Sequence, residues 1–232
     1  MEVLKKINNK YFKYKVTEES MRLGAILAIA GGFLEAYSYI VCDGVFANAQ
    51  TGNIAILGIA ISKLDFEKAI FALLPIISCF LGILTSAYIK NNDKINYKSE
   101  ELILVLEIII LAILSLFAYD LHKRVIVVII SYISSVQINS FRKLVDSPYC
   151  TTMCTGNLRT ATENLYIGCK NKDAVAIKKA LRLYVIIFLF AVGAAVGALL
   201  SNYFNEKALW FAVIILTFGV IMFIIDGKRG ER

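Results

Sequence analysis

Two Thr-Gly-Asn tripeptides are the most distinctive polar motifs of the chain: Thr51-Gly52-Asn53 and, 104 residues later, Thr155-Gly156-Asn157. Each follows a polar stretch and opens a short helix. Thr can cap free backbone N–H groups at a helix start, Gly lets a backbone or ligand approach, and Asn adds a donor and an acceptor. A helix N-terminus carries about half a positive charge. Two such termini brought together would form a polar site for an anionic or dipolar solute.

The side chains around the two tripeptides are the candidate solute-binding residues. Thr152 lies 104 positions after Asn48, so both halves offer a polar side chain at this position. The alternative is that both polar stretches, residues 43–50 and 146–154, are hydrogen-bonded knots that hold the two halves together. The candidate set is Asn48, Gln50, Thr51, Gly52 and Asn53 in the first half and Thr151, Thr152, Thr155, Gly156 and Asn157 in the second.

Two carboxylates lie inside apolar stretches. Glu35 follows a Gly-Gly pair, and Glu107 lies in a Leu-Glu-Ile-Ile-Ile run without a polar neighbour in the sequence. A charge at the centre of a bilayer costs at least about 2.5–3.5 kcal/mol, so each acid must pair, take up a proton or face water. Glu35 is the first candidate for proton or ion coupling, and Glu107 is the second. The structural alternative for Glu35 is that it accepts a hydrogen bond from Tyr37, Tyr39 or Asn139.

The residue types that catalysis or metal binding needs are sparse. The one histidine, His122, lies beside Lys123 and Arg124, and neither a Ser-His pair nor a cluster with metal-ligand spacing is present in the sequence. The five cysteines are scattered, and an odd number does not suit a disulfide framework. An intramembrane enzyme acting on lipid would need such a constellation. We therefore expect no enzyme activity, no metal and no cofactor.

The composition is that of a membrane protein. Hydrophobic residues make up 58% and charged residues 19% of 232 residues, against about 45–50% and about 25% in soluble domains. The apolar residues form long blocks, which predicts an all-α polytopic membrane protein. The net charge is +7, and the basic residues cluster beside the apolar blocks, as they do at the ends of membrane spans. This pattern does not indicate nucleic-acid binding. The basic arm, residues 1–20, is expected either to lie on anionic lipid headgroups or to be a disordered tail that only sets the orientation.

Six apolar blocks approach the ~20 residues that a helix needs to cross a bilayer. They are residues 21–41, 69–89, 101–119, 125–141, 181–200 and 208–225. Pro75 predicts a kink in the second block, and Gly193 with Gly197 predicts close helix packing in the fifth. Two further helices, around residues 54–61 and 158–168, are too short to cross comfortably. Arg159 and Glu163, four residues apart in the second of these, are expected to pair.

The hydropathy pattern of the first half recurs in the second. Each half reads as a long helix, a polar stretch, a Thr-Gly-Asn tripeptide, a short helix and two long helices. Three crossings in each half would invert the second half relative to the first. The predicted organisation is a basic cytoplasmic arm at 1–20, a first membrane repeat at 21–119, a second membrane repeat at 120–226 and a cytoplasmic tail at 227–232.

The distribution of Lys and Arg predicts the orientation. With six crossings and two re-entrant half-helices, 20 of the 25 basic residues lie inside when both termini are cytoplasmic. With eight crossings, 18 lie inside and 6 outside, and Arg159 is buried in the membrane. Both counts give the same orientation, so the number of crossings stays open between six and eight. We prefer six, because the second short helix is too polar to cross.

Four segments carry a resemblance to a known family. They are GGFLEAY at 31–37, GVFANAQTGN at 44–53, QINSFR at 137–142 and PYCTTMCTGN at 148–157. These segments resemble the YoaK family of bacterial membrane proteins, and the likeness covers nearly the whole chain after the basic arm. The resemblance implies a small multi-pass protein of the bacterial inner membrane, in a family catalogued as a domain of unknown function. The family usually carries Asp where this chain has Glu35, so the carboxylate is kept and is one methylene longer.

These observations favour a secondary permease or a channel-like carrier or exporter of a small polar or anionic solute. Some relatives in the resembling family have been grouped with drug exporters, which is in line with transport. The alternative is a non-transporting membrane scaffold or assembly partner. The expected partners are membrane lipid and the solute, and homo-oligomerisation is left open.

Overall fold

The computed structural model describes residues 20–91, 99–144, 147–150 and 152–229. The predicted basic arm, apart from its last residue, and the candidate Thr151 lie outside these residues. The described residues form eight α-helices: α1 Met21–Val41, α2 Gln50–Ser62, α3 Phe66–Lys90, α4 Ser99–Phe117, α5 Lys123–Ser140, α6 Cys154–Asn171, α7 Ala174–Phe204 and α8 Leu209–Arg229. A 3₁₀ turn, Asn205–Ala208, joins α7 to α8. Two short strands, β1 Lys143–Leu144 and β2 Ser147–Pro148, pair antiparallel, with Lys143 opposite Pro148.

Polar side chains and left-handed residues set several helix ends. The Ser20 hydroxyl accepts a hydrogen bond from the Leu23 N–H and starts α1, and the Asp65 and Asp173 carboxylates cap α3 and α7 in the same way. Beyond the end of α1, Asp43 and Gly44 adopt positive φ angles of 52° and 79°. The chain turns at these two residues and leads into the segment before α2.

The six long helices follow the predicted blocks. Helix α1 has the predicted bounds, and the other five differ by a few residues at most ends. Three stretches are long and apolar enough to cross a membrane by length and composition: Met21–Val41, Phe66–Lys90 and Ala174–Phe223. The last includes α7 and most of α8. The described part of the chain is therefore a helical membrane protein.

The prediction of a short helix at 158–168 is wrong in its bounds. Helix α6 has 18 residues, because it begins before the tripeptide, at Cys154, and ends only at Asn171. Lys172, with a φ angle of 54°, stops it in the left-handed conformation. At 1.5 Å per residue, α6 is about 27 Å long, whereas α2 with its 13 residues is about 20 Å long.

The helices pack in pairs that correspond between the two halves. Helix α1 packs against α7 and α8, and α5 packs against α3 and α4. Helix α2 lies along α3, and α6 lies along α7. The two halves correspond when α1, α2, α3 and α4 are matched with α5, α6, α7 and α8. The α1–α8 pair then matches α5–α4, the α2–α3 pair matches α6–α7, and the α1–α7 pair matches α5–α3.

Glycines bring α1 and α7 into backbone contact. A Cβ atom on Gly32 would lie 2.0 Å from the Phe190 carbonyl oxygen, and one on Gly193 would lie 2.1 Å from the Ile29 carbonyl oxygen. Gly197 approaches α1 in the same way. The predicted packing role of Gly193 and Gly197 is therefore confirmed.

The corresponding pair, α3 and α5, has one such glycine contact, from Gly82 to the Tyr132 backbone, and is joined by hydrogen bonds as well. The Ser78 hydroxyl donates to the Val128 carbonyl oxygen at 2.6 Å, and the Ser86 and Ser140 hydroxyls lie 3.0 Å apart. The Ser131 hydroxyl donates to the carbonyl oxygen of Pro75. Pro75 lies inside the continuous helix α3, and the kink there stays a prediction.

Candidate functional site

Each tripeptide asparagine binds the backbone of the non-helical segment in front of its helix. We call these segments the first break (residues 42–49) and the second break (the described residues 141–144, 147–150, 152 and 153). Asn53 Oδ1 accepts from the Phe46 N–H at 2.9 Å, and its Nδ2 donates to the Phe46 carbonyl oxygen at 2.6 Å. Asn157 makes the same two bonds with Cys150, at 3.1 and 2.6 Å. Both partners lie seven residues upstream, so a side-chain clamp of the same form folds each break against its helix.

The predicted capping role of the tripeptide threonines is wrong. Helices α2 and α6 begin after Ala49 and Met153, and neither start has a side-chain cap. Thr51 and Thr155 lie one residue inside their helices and are exposed. The asparagine clamp fixes the register, which leaves the threonines pointing outward.

The Glu35 carboxylate closes the start of α2. Its Oε2 accepts from the Asn48 N–H and its Oε1 from the Ala49 N–H, both at 2.8 Å. A negative charge at this position also faces the positive end of the helix dipole. The predicted alternative partners of Glu35 are wrong: the Tyr37 hydroxyl, for example, donates to the Glu206 carbonyl oxygen instead. The donors are backbone groups, which residue types alone do not reveal.

The start of α6 has no such carboxylate. Asn139 occupies the position equivalent to Glu35, 104 residues later, and it is half-buried. In the described part of the chain, no acceptor bonds to the N–H of Thr152 or Met153, the residues equivalent to Asn48 and Ala49. Within the described residues, the start of α6 therefore has no counterpart to Glu35.

Both breaks lie against α1. A Cβ atom on Gly31 would lie 2.8 Å from Cγ2 of Thr152, so the second break touches α1 one turn before Glu35. The starts of α2 and α6 thus approach one stretch of α1 from the two halves of the chain.

Gln50 ties the first break to α5. Its Nε2 donates to the Ala47 carbonyl oxygen at 2.8 Å and to the Ser131 hydroxyl at 3.3 Å. Its Oε1 accepts from Asn53 Nδ2 at 3.0 Å. The Gln50 and Asn53 amides are therefore both engaged within the protein.

Asn48 differs from the other candidates. Its backbone N–H binds Glu35, but its side-chain nitrogen and oxygen are both buried and have no hydrogen-bond partner. An unsatisfied buried amide costs about 1–3 kcal/mol for each lost partner, so native structures rarely retain one without a function. Of the second-half candidates, Thr152 approaches Cys150, whereas Thr155 and Gly156 are exposed.

Sequence reasoning missed the partner of Glu107. Gln137 of α5 donates from Nε2 to Glu107 Oε2 at 2.7 Å, although no polar neighbour is visible in the sequence around the acid. The other carboxylate oxygen, Oε1, is buried and has no partner. A signal was available, since Gln137 is one of the few long polar residues within the long helices. The predicted pair of Arg159 and Glu163 is confirmed, at 2.9 Å and largely exposed.

Ion pairs join the loops near the ends of the first break and of α5. Lys123 lies 2.6 Å from the Asp43 carboxylate, and Arg124 pairs with Glu67. Both pairs are largely exposed at one or both partners, so each stabilises the fold only weakly. Across the residues that the structure describes, no group of three His, Cys, Asp or Glu side chains is placed to hold a metal ion.

The apolar helices define the class of protein: a helical membrane protein, in which an asparagine holds a described peptide group of each break against the following helix. A family described as "Protein of unknown function (DUF1275)" matches residues 23–222, and the chain belongs to this family. The chain is 24% identical over 216 residues to the UPF0700 transmembrane protein YoaK of Bacillus subtilis (strain 168), which covers 90% of this chain and 95% of that protein. The resemblance to the YoaK family is confirmed. No solved structure matches the chain.

Proposed function

We propose that this protein is a permease or channel-like carrier of a small polar or anionic solute. The solute binds where the two breaks approach α1, between the Asn48 side chain and the start of α6. The observation that carries the proposal is the Asn48 carboxamide, which offers a buried donor and a buried acceptor with no partner in the protein.

The difference in charge between the two breaks supports an anionic or dipolar solute. Glu35 occupies the positive end of α2, so that end attracts no second anion. The N–H groups of Thr152 and Met153 at the start of α6 are open, and the positive helix end favours a negative or partly negative group there. The Asn48 amide can donate to or accept from the rest of the solute.

The arrangement in the membrane follows the corresponding packing of the two halves. We infer two inverted repeats, six crossings and both termini in the cytoplasm, with α2 and α6 as re-entrant helices of the bacterial inner membrane. Non-helical backbone at membrane depth has to be buried in protein or line a wet cavity, and the asparagine clamps, which hold part of each break against its helix, support this arrangement. The charge distribution of the loops supports the orientation.

The second candidate is a scaffold that transports nothing. The two asparagine clamps favour it, because Asn53 and Asn157 use their amides to hold backbone. Under this reading the breaks are knots between the two halves, and the Asn48 amide has no ligand.

Solute flux into proteoliposomes tests the proposal. Vesicles with the full-length protein would be mixed with small neutral polar solutes or small anions, and swelling would be followed by light scattering. We expect at least one class to enter faster than into protein-free vesicles, and Asn48→Leu to abolish the difference. Asn164→Leu, the same change at an amide that binds only its own helix, should leave flux unchanged.

Two results would overturn the proposal. One is equal swelling of protein-containing and protein-free vesicles for every solute. The other is normal flux in the folded Asn48→Leu variant. Crosslinking in native membranes would then test the scaffold reading, which requires a stable protein partner.

A further inference from the structure

A row of polar side chains runs along the buried face of α5. Ser131, Ser134 and Gln137 follow one another at intervals of three residues and are 0%, 2% and 4% exposed. Three residues correspond to about 4.5 Å of helix rise, so the row extends about 9 Å along the helix. We call these three residues the α5 polar row.

The two ends of the α5 polar row form hydrogen bonds with residues of other helices. At one end, the Ser131 hydroxyl accepts from Gln50 of α2. At the other end, Gln137 donates to Glu107 Oε2. The Ser134 hydroxyl, between these ends, and Glu107 Oε1 are both buried without a hydrogen-bond partner.

The first half of the chain carries apolar side chains at the equivalent positions. The residues 104 positions earlier, on α1, are Leu27, Ala30 and Phe33, and all three are fully buried in the apolar core. Helix α1 packs against α8 as α5 packs against α4. Ser131 also donates to the Pro75 carbonyl oxygen and so helps to join α5 to α3, whereas the Ser134 hydroxyl contributes no hydrogen bond to helix packing.

The two buried acids differ in how their charge is satisfied. Both oxygens of Glu35 accept backbone N–H groups at the positive end of α2, an arrangement that stabilises the carboxylate. Glu107 is 2% exposed, and its one hydrogen bond comes from a neutral amide. A carboxylate in such surroundings is costly, and a bound proton removes the charge.

Few charged groups surround Glu107. On α4 itself the other acids, Glu100 and Glu101, lie in the first turn. On α5 the charged residues are Lys123 and Arg124, at the start of the helix. Helix α8, which also packs against α4, carries no charged residue between 209 and 223. The protonation of Glu107 is therefore governed by burial and by the α5 polar row.

We propose that Glu107, reached along the α5 polar row from the first break, binds and releases a proton inside the membrane. The proton binds to Oε1, the oxygen without a partner, and converts the carboxylate to the neutral acid while Oε2 keeps its bond to Gln137. Both Glu35 oxygens stay bound to backbone N–H groups at the start of α2. The coupling of this proton to solute movement rests on the proposed function, whereas the protonation itself does not.

Labelling with a hydrophobic carbodiimide tests the protonation. Dicyclohexylcarbodiimide partitions into the membrane and reacts with protonated carboxyl groups, and peptide mass spectrometry locates the adduct. In proteoliposomes containing the full-length protein, we expect labelling of Glu107 to fall about tenfold per pH unit once the pH exceeds the midpoint of titration. Glu107→Gln should lose this label, and Glu35→Gln should keep it.

Three results would overturn the proposal. Labelling that does not change with pH would show a permanently protonated structural acid. Protection by sodium ions at constant pH would show a metal-cation site. The third is an absence of label together with no titrating carboxyl infrared band that differs between the native protein and Glu107→Gln.

Ser134→Ala tests the route. The substitution places at 134 the residue type that α1 carries at the equivalent position, so we expect the unfolding temperature to be unchanged. Labelling of Glu107 after a pH jump should become several-fold slower, because the central hydroxyl of the row is missing. An unchanged rate would exclude the route along α5.

The two proposals fail separately. Solute flux without titration of Glu107 would leave the proposed function in place and remove the proton site. Titration of Glu107 without flux of any solute would leave the proton site in place and remove the proposed function.

Discussion

In the first break the Asn53 amide binds the peptide group of Phe46, and in the second break the Asn157 amide binds that of Cys150 by the same two bonds. The surroundings of the two clamps differ. Glu35 closes the start of α2, whereas the start of α6 is open. The clamp is thus the element that both halves need to place a non-helical segment inside a helical bundle. Among the described residues, the Glu35 carboxylate has no counterpart at the start of α6, so the surroundings of the two helix starts differ in polar groups.

Loss of a clamp should have the largest effect. Asn53→Ala or Asn157→Ala leaves a peptide N–H and C=O without their partner, and each unsatisfied group costs about 1–3 kcal/mol when buried. We expect both variants to unfold at clearly lower temperature in detergent, with Asn53→Ala affected more because Gln50 also loses a bond. Asn164→Ala serves as the control. A large loss for one clamp and none for the other would end the equivalence of the two breaks.

Removal of the Glu35 charge should come next. In Glu35→Gln the side-chain nitrogen faces an N–H donor, so one of the two backbone groups loses its acceptor, at a cost of about 1–3 kcal/mol. The equivalent change in the second half, Asn139→Gln on α5, should alter the unfolding temperature little, because no side-chain hydrogen bond of Asn139 is present among the described residues. Equal losses in the two variants would mean that the carboxylate has no special role at α2.

A carboxylate introduced at the equivalent position of the second half sharpens the comparison. Asn139→Glu places an acid 104 residues after Glu35, at the position from which Glu35 closes α2 in the first half. We expect this variant to fold and to lose flux of anionic solutes several-fold, with neutral solutes affected less. Asn139→Gln, of the same size and without charge, is the matched control. Unchanged anion flux in Asn139→Glu would contradict binding at the start of α6.

The tripeptide glycines should respond differently to alanine. A Cβ atom on Gly52 would lie 2.8 Å from the Phe46 ring, which itself stacks on Tyr39, whereas nothing lies within 4 Å of one on Gly156. Gly156→Ala should stabilise α6 by up to about 1 kcal/mol through helix propensity. Gly52→Ala has to displace the ring and should be the less stable of the two in the same unfolding assay. If Gly52→Ala were the more stable variant, the Phe46 ring would be able to move away from the added methyl group, which its contacts do not indicate.

The smallest effect is expected at the exposed ion pair of α6. The Arg159 and Glu163 side chains are largely exposed, and exposed ion pairs contribute little to the free energy of unfolding. Arg159→Ala should leave the unfolding temperature and the flux unchanged. A loss of flux in the folded variant would place Arg159 in the solute path.

The sequence predicted the long helices well because runs of apolar residues determine them locally. It also predicted the helix contact at Gly193 and Gly197, and the pairing of Arg159 with Glu163. It did not predict that Asn53 and Asn157 hold backbone, because every residue has a peptide group and none is marked as the partner. For the same reason the donors to Glu35 were missed. The partner of Glu107 lies 30 residues away on another helix, and only the packing of α4 on α5 reveals it.

Thiol accessibility of the two equivalent positions Asn48 and Thr152 tests the central claim, a wet site between the breaks, most directly. In a protein freed of its five cysteines, Asn48→Cys and Thr152→Cys would be treated with a membrane-impermeant thiol reagent from each side. Tyr203→Cys, at an 80% exposed residue, controls for reactivity, and Ala161→Cys, at a fully buried one, controls for leakage into the core. We predict labelling at both test positions, at 48 from outside and at 152 from inside. No labelling at either position, with Tyr203→Cys fully labelled, would contradict a solute site. The two breaks would then be water-free segments that only hold the two halves together.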